Sequence, residues 1–257
     1  MPPSTLRFDD LGAGPAVVLI HGHPFDRSMW APQLEPLSGR FRVLAPDLRG
    51  YGESPVTPGT VTMAELAGDI SALLDSLGIG AAAVVGLSMG GLVAMELALA
   101  RPERCWALGL IATTAAPLTE GERGDRRSMA ARLEAEGMEA AVETMGPRLF
   151  GPSPPPLAVA QIESMMRRTS PAGAAAALRG RAERPDYRPG LATLAMPVLV
   201  CTGSEDAYST AEITAELVGS LRAPRVLLLP GSGHLPNLEQ PEEFNRGLLD
   251  FLADAAP

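Results

Sequence analysis

The runs AVVLI (16–20), FRVLA (41–45), AAVVG (82–86), ALGLIA (107–112) and PVLVCTG (197–203) are short, rich in Val, Leu and Ile, and apolar without alternation; RVLLLP (225–230) closes the series. A strand with one wet face alternates polar and apolar residues. Unbroken runs of this length predict strands covered on both faces, as in a parallel sheet with helices on each side. The intervening segments supply the helices. MAELAGDISALLDSLG (63–78) repeats apolar residues at helical spacing and carries Gly78 where a C′ glycine belongs. MGGLVAMELALARP (89–102) is apolar nearly all round and stops at Pro102, which predicts a buried helix. A last amphipathic helix is expected from Pro241 to Ala253. The fold class is therefore α/β, a doubly wound and mostly parallel sheet.

One region breaks the alternation. Between 117 and 189 there is no strand-like run, only helical stretches interrupted by Gly and Pro. This predicts a helical insertion between two strands, too small for a core of its own, lying over the C-terminal edge of the sheet where such folds bind ligands. The core domain would comprise 1–116 and 190–257, and the insertion would form a lid. Five of the 11 methionines, Met129, Met138, Met145, Met165 and Met166, fall inside it. They read either as filler between helices or as an adaptable apolar lining above a pocket.

With 257 residues, 46% of them hydrophobic, the chain can bury a full core. Its 21 basic and 30 acidic residues give a net charge of -9 without any basic run. That argues against nucleic acid and anionic membranes as partners. No uncharged apolar stretch reaches the ~18–20 residues of a membrane span. MPPSTLRFDD lacks the basic and apolar regions of a signal peptide. Cys105 and Cys201 suggest no disulfide framework. A cytoplasmic protein is expected, monomeric or homodimeric, acting on a small-molecule substrate without a cofactor.

The most informative chemistry lies where the run at 82–86 passes directly into Gly86-Leu87-Ser88-Met89-Gly90-Gly91 and then a helix. A serine at such a turn is forced into a strained conformation with its hydroxyl above the sheet edge, and small residues at 86 and 90 let strand and helix close around it. The turn also sets the Met89 N–H at a helix N-terminus, where an anionic oxygen is favoured. A serine hydroxyl needs a base, and the base an orienting acid. Of three histidines, His234 lies in a Gly-rich loop after the last strand and suits the base. The acid should come just after another strand, which points to Asp206 with Glu205 as competitor. The chain order Ser88, Asp206, His234 is that of this architecture.

Together, HGHPFDRSMW, PDLRGYGES, GLSMGG, TGSEDAYST and PGSGHLPNLEQPEEF resemble the α/β-hydrolase superfamily. More narrowly they are similar to its capped branch of esterases, enol-lactone hydrolases, cofactor-free haloperoxidase/perhydrolases and carbon–carbon bond hydrolases. The resemblance covers nearly the whole chain and is least specific over 117–189. It implies Ser88 as nucleophile, Asp206 as acid and His234 as base, with the backbone N–H groups of Met89 and His23 as oxyanion hole.

The pair His21 and His23 also has the spacing of metal ligands on an extended segment. A hydrolytic metal site needs further ligands, and the remaining histidine is wanted as base, so no metal is expected. Gly22 allows a tight turn and Pro24 restricts the backbone beyond it, leaving the His23 N–H free for an oxyanion. Relatives usually carry an apolar side chain at this position. The imidazole of His23 therefore either hydrogen-bonds a polar substrate group or packs as an aromatic. His21 reads as a structural donor, and Asp47, Arg49 and Gly50 as loop supports. Phe25 and Met29 are possible pocket residues, Trp30 a packing residue.

These features predict a serine hydrolase of small to medium carboxylic esters or lactones, with activity rising as His234 becomes neutral near pH ~6–7. The same triad would also serve carbon–carbon cleavage, perhydrolysis, lyase or ring-closing chemistry. A non-enzymatic ligand binder would be expected to have lost one of the three residues.

Overall fold

The computed structural model describes residues 6–257. Residues 1–5 of the N-terminal stretch that is not expected to be a signal peptide lie outside them. Seven strands form one sheet: β1 (Phe8–Leu11), β2 (Ala16–Ile20), β3 (Arg42–Pro46), β4 (Ala82–Leu87), β5 (Cys105–Ile111), β6 (Val198–Gly203) and β7 (Arg225–Leu229). Their order is β1-β3-β2-β4-β5-β6-β7, with only β1 antiparallel to its neighbour. The helices are α1 (Ala31–Ser38), α2 (Met63–Ser76), α3 (Met89–Ala100), α4 (Glu120–Glu136), α5 (Glu139–Met145), α6 (Pro156–Arg168), α7 (Pro171–Ala182), α8 (Arg188–Leu191), α9 (Ala211–Gly219), α10 (Pro236–Glu239) and α11 (Pro241–Ala255).

The unbroken apolar runs have the predicted cause. Val17, Leu19, Val43, Ala83 and Val85 face one way, into a cluster with Leu37 of α1 and Phe244 and Leu248 of α11. Val18, Ile20, Leu44 and Val84 face the other way, towards Leu66 and Ile70 of α2 and Leu92 and Val93 of α3. Each strand therefore needs apolar side chains on both faces. Helix α2 starts with a reciprocal capping box between Thr62 and Glu65 and gives way to Gly78 at φ 68°.

Two features depart from the sequence expectation. Strand β1 is not among the expected strands, because FDDL carries two carboxylates and little apolar signal. It pairs along β3, with Asp10 accepting from Arg42 at 2.7 and 3.0 Å. An edge strand tolerates such charges, and they protect it from further pairing. Strand β7, expected to be covered on both faces, is covered on one. Leu227 lies against α11 and Leu229 is buried, whereas Val226 and Leu228 are half exposed. As the last strand of the sheet, β7 has no helix over its second face.

Helices α4 to α8 all fall between β5 and β6. Ala130, Leu133, Ile162, Ala174 and Leu178 of these helices belong to the same apolar cluster as Val85 and Leu87 of the sheet. Helix α7 meets the segment between β3 and α2 through two glycines seven apart. A Cβ on Gly173 would stand 2.0 Å from the Gly50 carbonyl oxygen, and one on Gly180 1.8 Å from that of Val61. Val61 in turn donates its N–H to the Ala176 carbonyl at 3.0 Å.

Candidate active site

Ser88 stands between β4 and α3 at φ 54° and ψ −111°, a left-handed conformation for a residue with a side chain. Such strain costs on the order of 1–3 kcal/mol and persists only where the surroundings enforce it. Here they do. The Ser88 N–H donates to the Ile111 carbonyl at 2.8 Å, and its own carbonyl accepts from Thr113 Oγ1 at 2.8 Å and Gly91 N–H at 3.0 Å. A Cβ on Gly86 would meet the Gly90 carbonyl oxygen at 2.1 Å, and one on Gly90 the Ile20 carbonyl oxygen at 2.2 Å. Only glycine lets β2, β4 and α3 approach closely enough to make this turn.

The loop after β7 carries His234, 5% exposed. Its Nδ1 lies 3.0 and 2.9 Å from the two carboxylate oxygens of Asp206, on the loop after β6. Asp206 Oδ1 also accepts from the N–H groups of Tyr208 and Ser209 at 2.7 and 3.0 Å. Burial alone would raise the Asp206 pKa; His234 and the two backbone donors outweigh it and hold the carboxyl below its usual range. An ionised Asp206 therefore fixes the proton of His234 on Nδ1 and leaves Nε2 as the basic nitrogen. Glu205, the alternative acid, is exposed and accepts from Ser204 Oγ instead. The inserted segment supports the histidine loop. The His234 N–H donates to the Leu149 carbonyl at 2.8 Å, and Glu239 accepts from both Gly151 N–H at 2.8 Å and Gly233 N–H at 2.9 Å.

Ser88, His234 and His23 line one cavity of about 490 Å³, bounded by the ends of β4 and β5, the loops after β6 and β7, and helices α4, α7 and α9. That volume suits a small to medium ligand. Among the described residues, neither the Met89 nor the His23 backbone N–H is hydrogen-bonded, and Met89 holds the first position of α3, where N–H groups have no partner within the helix. Met129 and Met145 line the cavity. Phe25, Met138, Met165 and Met166 do not; they are buried in the apolar core, and Met165 Sδ accepts from the Asp26 N–H at 3.1 Å. Helix α6 turns Met165 and Met166 into the core, while Phe25 and Met138 enter it from the loops after β2 and α4. Met29 is in the core too, and Trp30 packs against Phe244 with ring centroids 6.3 Å apart.

The paired histidines separate in role. His21 uses both ring nitrogens internally, Nδ1 donating to the Gly22 carbonyl at 2.8 Å and Nε2 accepting from the Leu48 N–H at 2.9 Å. Burial lowers its pKa, offset in part by Gly22 and Asp47. His23 Nδ1 lies 2.8 Å from the Tyr51 hydroxyl, whereas its Nε2 is buried without a partner among the described residues. Among the described residues no three His, Cys, Asp or Glu side chains are grouped as metal ligands, and no helix is long and apolar enough to cross a membrane. Asp47 and Arg49 do support loops, through different partners. Asp47 is paired with Arg27 and accepts the Glu53 N–H at 2.8 Å, while Arg49 reaches Asp69 on α2 at 2.5 and 2.8 Å.

Sequence reasoning missed the cationic side chains of the cavity, Arg126, Arg148, Arg181 and Arg184. ALRGRAER shows three arginines within six residues, but Arg179 pairs with Glu134 while Arg181 and Arg184 line the cavity. Tyr208 was missed as well; its ring lies 5.0 Å from that of His234, with the Arg148 guanidinium 4.6 Å above it.

Comparison with known proteins adds a family and relatives. Residues 17–246 match the model of the alpha/beta hydrolase family. The chain is 31% identical over 237 residues to 3-oxoadipate enol-lactonase 2 of Acinetobacter baylyi, covering 91% of this chain and 87% of that one. Among solved structures it is similar to a malate-bound thermophilic esterase from Thermogutta terrifontis, with a TM-score of 0.96 and 39% identity over 98% of this chain and 94% of the other. It is also similar to the enol-lactonase of Burkholderia xenovorans LB400, with a TM-score of 0.89 and 32% identity over 96% of each chain.

Proposed function

The chain belongs to the alpha/beta hydrolase family and is a hydrolase, and on that premise we propose that it cleaves a small to medium carboxylic ester or lactone through an acyl-enzyme on Ser88. The observation that carries this reading is His234, fixed by Asp206 through Nδ1 and lining one cavity with a strained Ser88. His234 Nε2 takes the Ser88 proton as Oγ attacks the carbonyl carbon. The charge that develops on the carbonyl oxygen is received by the N–H groups of Met89 and His23, each such donor being worth roughly 2.7–4 kcal/mol. The imidazolium, stabilised by Asp206, then protonates the departing alkoxide. His234 next draws a proton from water, whose oxygen attacks the acyl carbon, and returns that proton to Ser88 Oγ as the C–Oγ bond breaks and the acid leaves. The bonds and protons balance with water as the only co-reactant.

The similar proteins are enol-lactonases and an esterase, which supports the choice of substrate class. The inserted helices between β5 and β6 act in this reading as a lid that shapes the acyl pocket. A panel of p-nitrophenyl esters and lactones of increasing acyl length, together with a fluorophosphonate probe, tests it. Ser88→Ala is expected to lose labelling and nearly all turnover. A Ser88→Ala protein that hydrolyses the panel at the parental rate would sink the proposal.

A further inference from the structure

Four arginines line the cavity, and their partners differ. Arg184 spends Nε and Nη2 on the Ala116 carbonyl, and Arg148 donates to the Ala207 carbonyl and covers Tyr208. The side chains of Arg126 of α4 and Arg181 of α7 make no hydrogen bond or ion pair among the described residues, and the Nε of each is buried without an acceptor there. The carboxylates that also line the cavity, Glu122, Asp125 and Glu216, are all exposed. Glu122 accepts from Thr119 N–H and Oγ1–H at 2.8 and 2.7 Å, and Glu216 is paired with Arg188. An arginine that only fills space leaves its head group in water. Two guanidinium groups with buried, unpaired N–H donors in one cavity instead lack an acceptor that the protein does not supply.

His23 adds a third donor. A neutral imidazole nitrogen is a better acceptor than the Met89 thioether, 3.8 Å from the Tyr51 hydroxyl, so Tyr51 donates to His23 Nδ1 and the proton of the ring stays on Nε2. Burial, then the fields of Arg181 and Arg126, keep His23 neutral well below its ordinary pKa. Burial and the neighbouring Arg126 and Arg184 likewise push Arg181 below its usual range. A bound anion would relieve that crowding.

We infer that the substrate carries a carboxylate besides its scissile ester or lactone bond, and that Arg126, Arg181 and the Nε2–H of His23 receive it. This inference rests on the serine hydrolase reading and names the substrate class of the same site. Guanidinium forks match carboxylate geometry. Such a group sets selectivity between anionic and neutral acyl chains, whereas Ser88 and His234 treat both alike.

Mono-p-nitrophenyl glutarate and p-nitrophenyl valerate have acyl chains of equal length and differ in the terminal carboxylate. The parent protein is expected to prefer the glutarate in kcat/KM by roughly tenfold or more. Glutarate itself should compete with valerate hydrolysis, and glutaramide should not. Arg126→Met and Arg181→Met should each lower the glutarate-to-valerate ratio by about tenfold, with Arg181→Lys recovering part of it. Labelling of Ser88 by a neutral fluorophosphonate reports that each variant is folded. Valerate turnover with no preference for glutarate, or a preference that both Met variants retain, would overturn the inference. If neither ester is turned over and Ser88 does not label, the serine hydrolase reading has failed instead. Calorimetric titration with glutarate then decides: binding lost in both Met variants supports the anion site, and no binding to the parent protein refutes it.

Discussion

Gly180→Ala sets two opposed effects against each other in one helix. In an exposed helix interior, replacing glycine with alanine gains roughly 0.5–1 kcal/mol, because alanine loses less backbone freedom on folding. At position 180 the new Cβ would stand 1.8 Å from the Val61 carbonyl oxygen and 2.5 Å from its carbon. A relaxed C···O contact is about 3.3 Å, so helix and loop must part by on the order of 1.5 Å. The atoms in the way are backbone, and the same loop residue is tied to α7 by its N–H on the Ala176 carbonyl. Overpacking of this kind costs about 1–3 kcal/mol, and a weakened hydrogen bond adds about 0.5–1.5 kcal/mol. The net expectation is a loss of roughly 0.5–4 kcal/mol. Gly68→Ala is the matched control, since Gly68 lies exposed within α2 with nothing within 4 Å of its Cβ direction. At about 2–4 °C per kcal/mol for a chain of this size, Gly180→Ala should lower Tm by several degrees while Gly68→Ala raises it slightly. Urea denaturation monitored by far-UV circular dichroism should show the same opposite signs in Cm at equal m. A Gly180→Ala protein as stable as Gly68→Ala would refute the argument from close approach.

The site and its surroundings lead to three further expected outcomes. His21 and His23 are held neutral by burial, so below pH ~6.5 the unfolded chain binds protons that the fold does not; stability should fall with pH from that point by up to ~1.4 kcal/mol per unit for each histidine, and be flat in this respect above it. His23→Phe should remove its share of that slope, and an unchanged slope in urea titrations at pH 7.5, 6 and 5 would be the wrong result. Asp206→Asn is expected to lower kcat by roughly 10⁴-fold with little change in KM, and Glu205→Gln to leave it near the parental value; equal losses would reassign the acid. Burial raises the thiol of Cys105 to about 12 and that of Cys201 still further, so neither should react with Ellman's reagent until the protein is unfolded; rapid labelling of the native protein would show one of them to be open.

The parts of the fold legible in the sequence are those whose residue types have a single physical use. Unbroken Val and Leu runs such as 16–20 serve only a strand covered on both faces, and Gly86-x-Ser88-x-Gly90 between strand and helix only a turn that tight. His234 emerged because three histidines leave few choices, and its pairing with Asp206 is a contact in the folded chain. Illegible were features that depend on how a helix is rotated. Met129 and Met165 are the same residue type on two of the inserted helices, yet one lines the cavity and the other the core. Arg179 and Arg181 are two apart in α7, and the contact of Gly173 and Gly180 with the loops at 50 and 61 sets which of them turns inward. That contact joins residues more than a hundred positions apart, and no local pattern announces it. Strand β1 was hidden for a simpler reason: an edge strand held by Asp10 and Arg42 carries charge where a central strand carries Val.

The proposed reacting groups and the cationic groups of the cavity come from different stretches of chain. Ser88, Asp206 and His234 sit at the ends of β4, β6 and β7, whereas Arg126, Arg148, Arg181 and Arg184 all lie between β5 and β6. Mutation can therefore explore the second stretch while leaving the first intact, so that a lineage could exchange one acyl preference for another without passing through an inactive intermediate. For an engineer the same partition makes the stretch between Ile111 and Val198 a transplantable cassette. Its boundary conditions include the backbone contacts through which Gly173, Gly180 and Leu149 meet the rest of the chain and the apolar cluster it shares with the sheet.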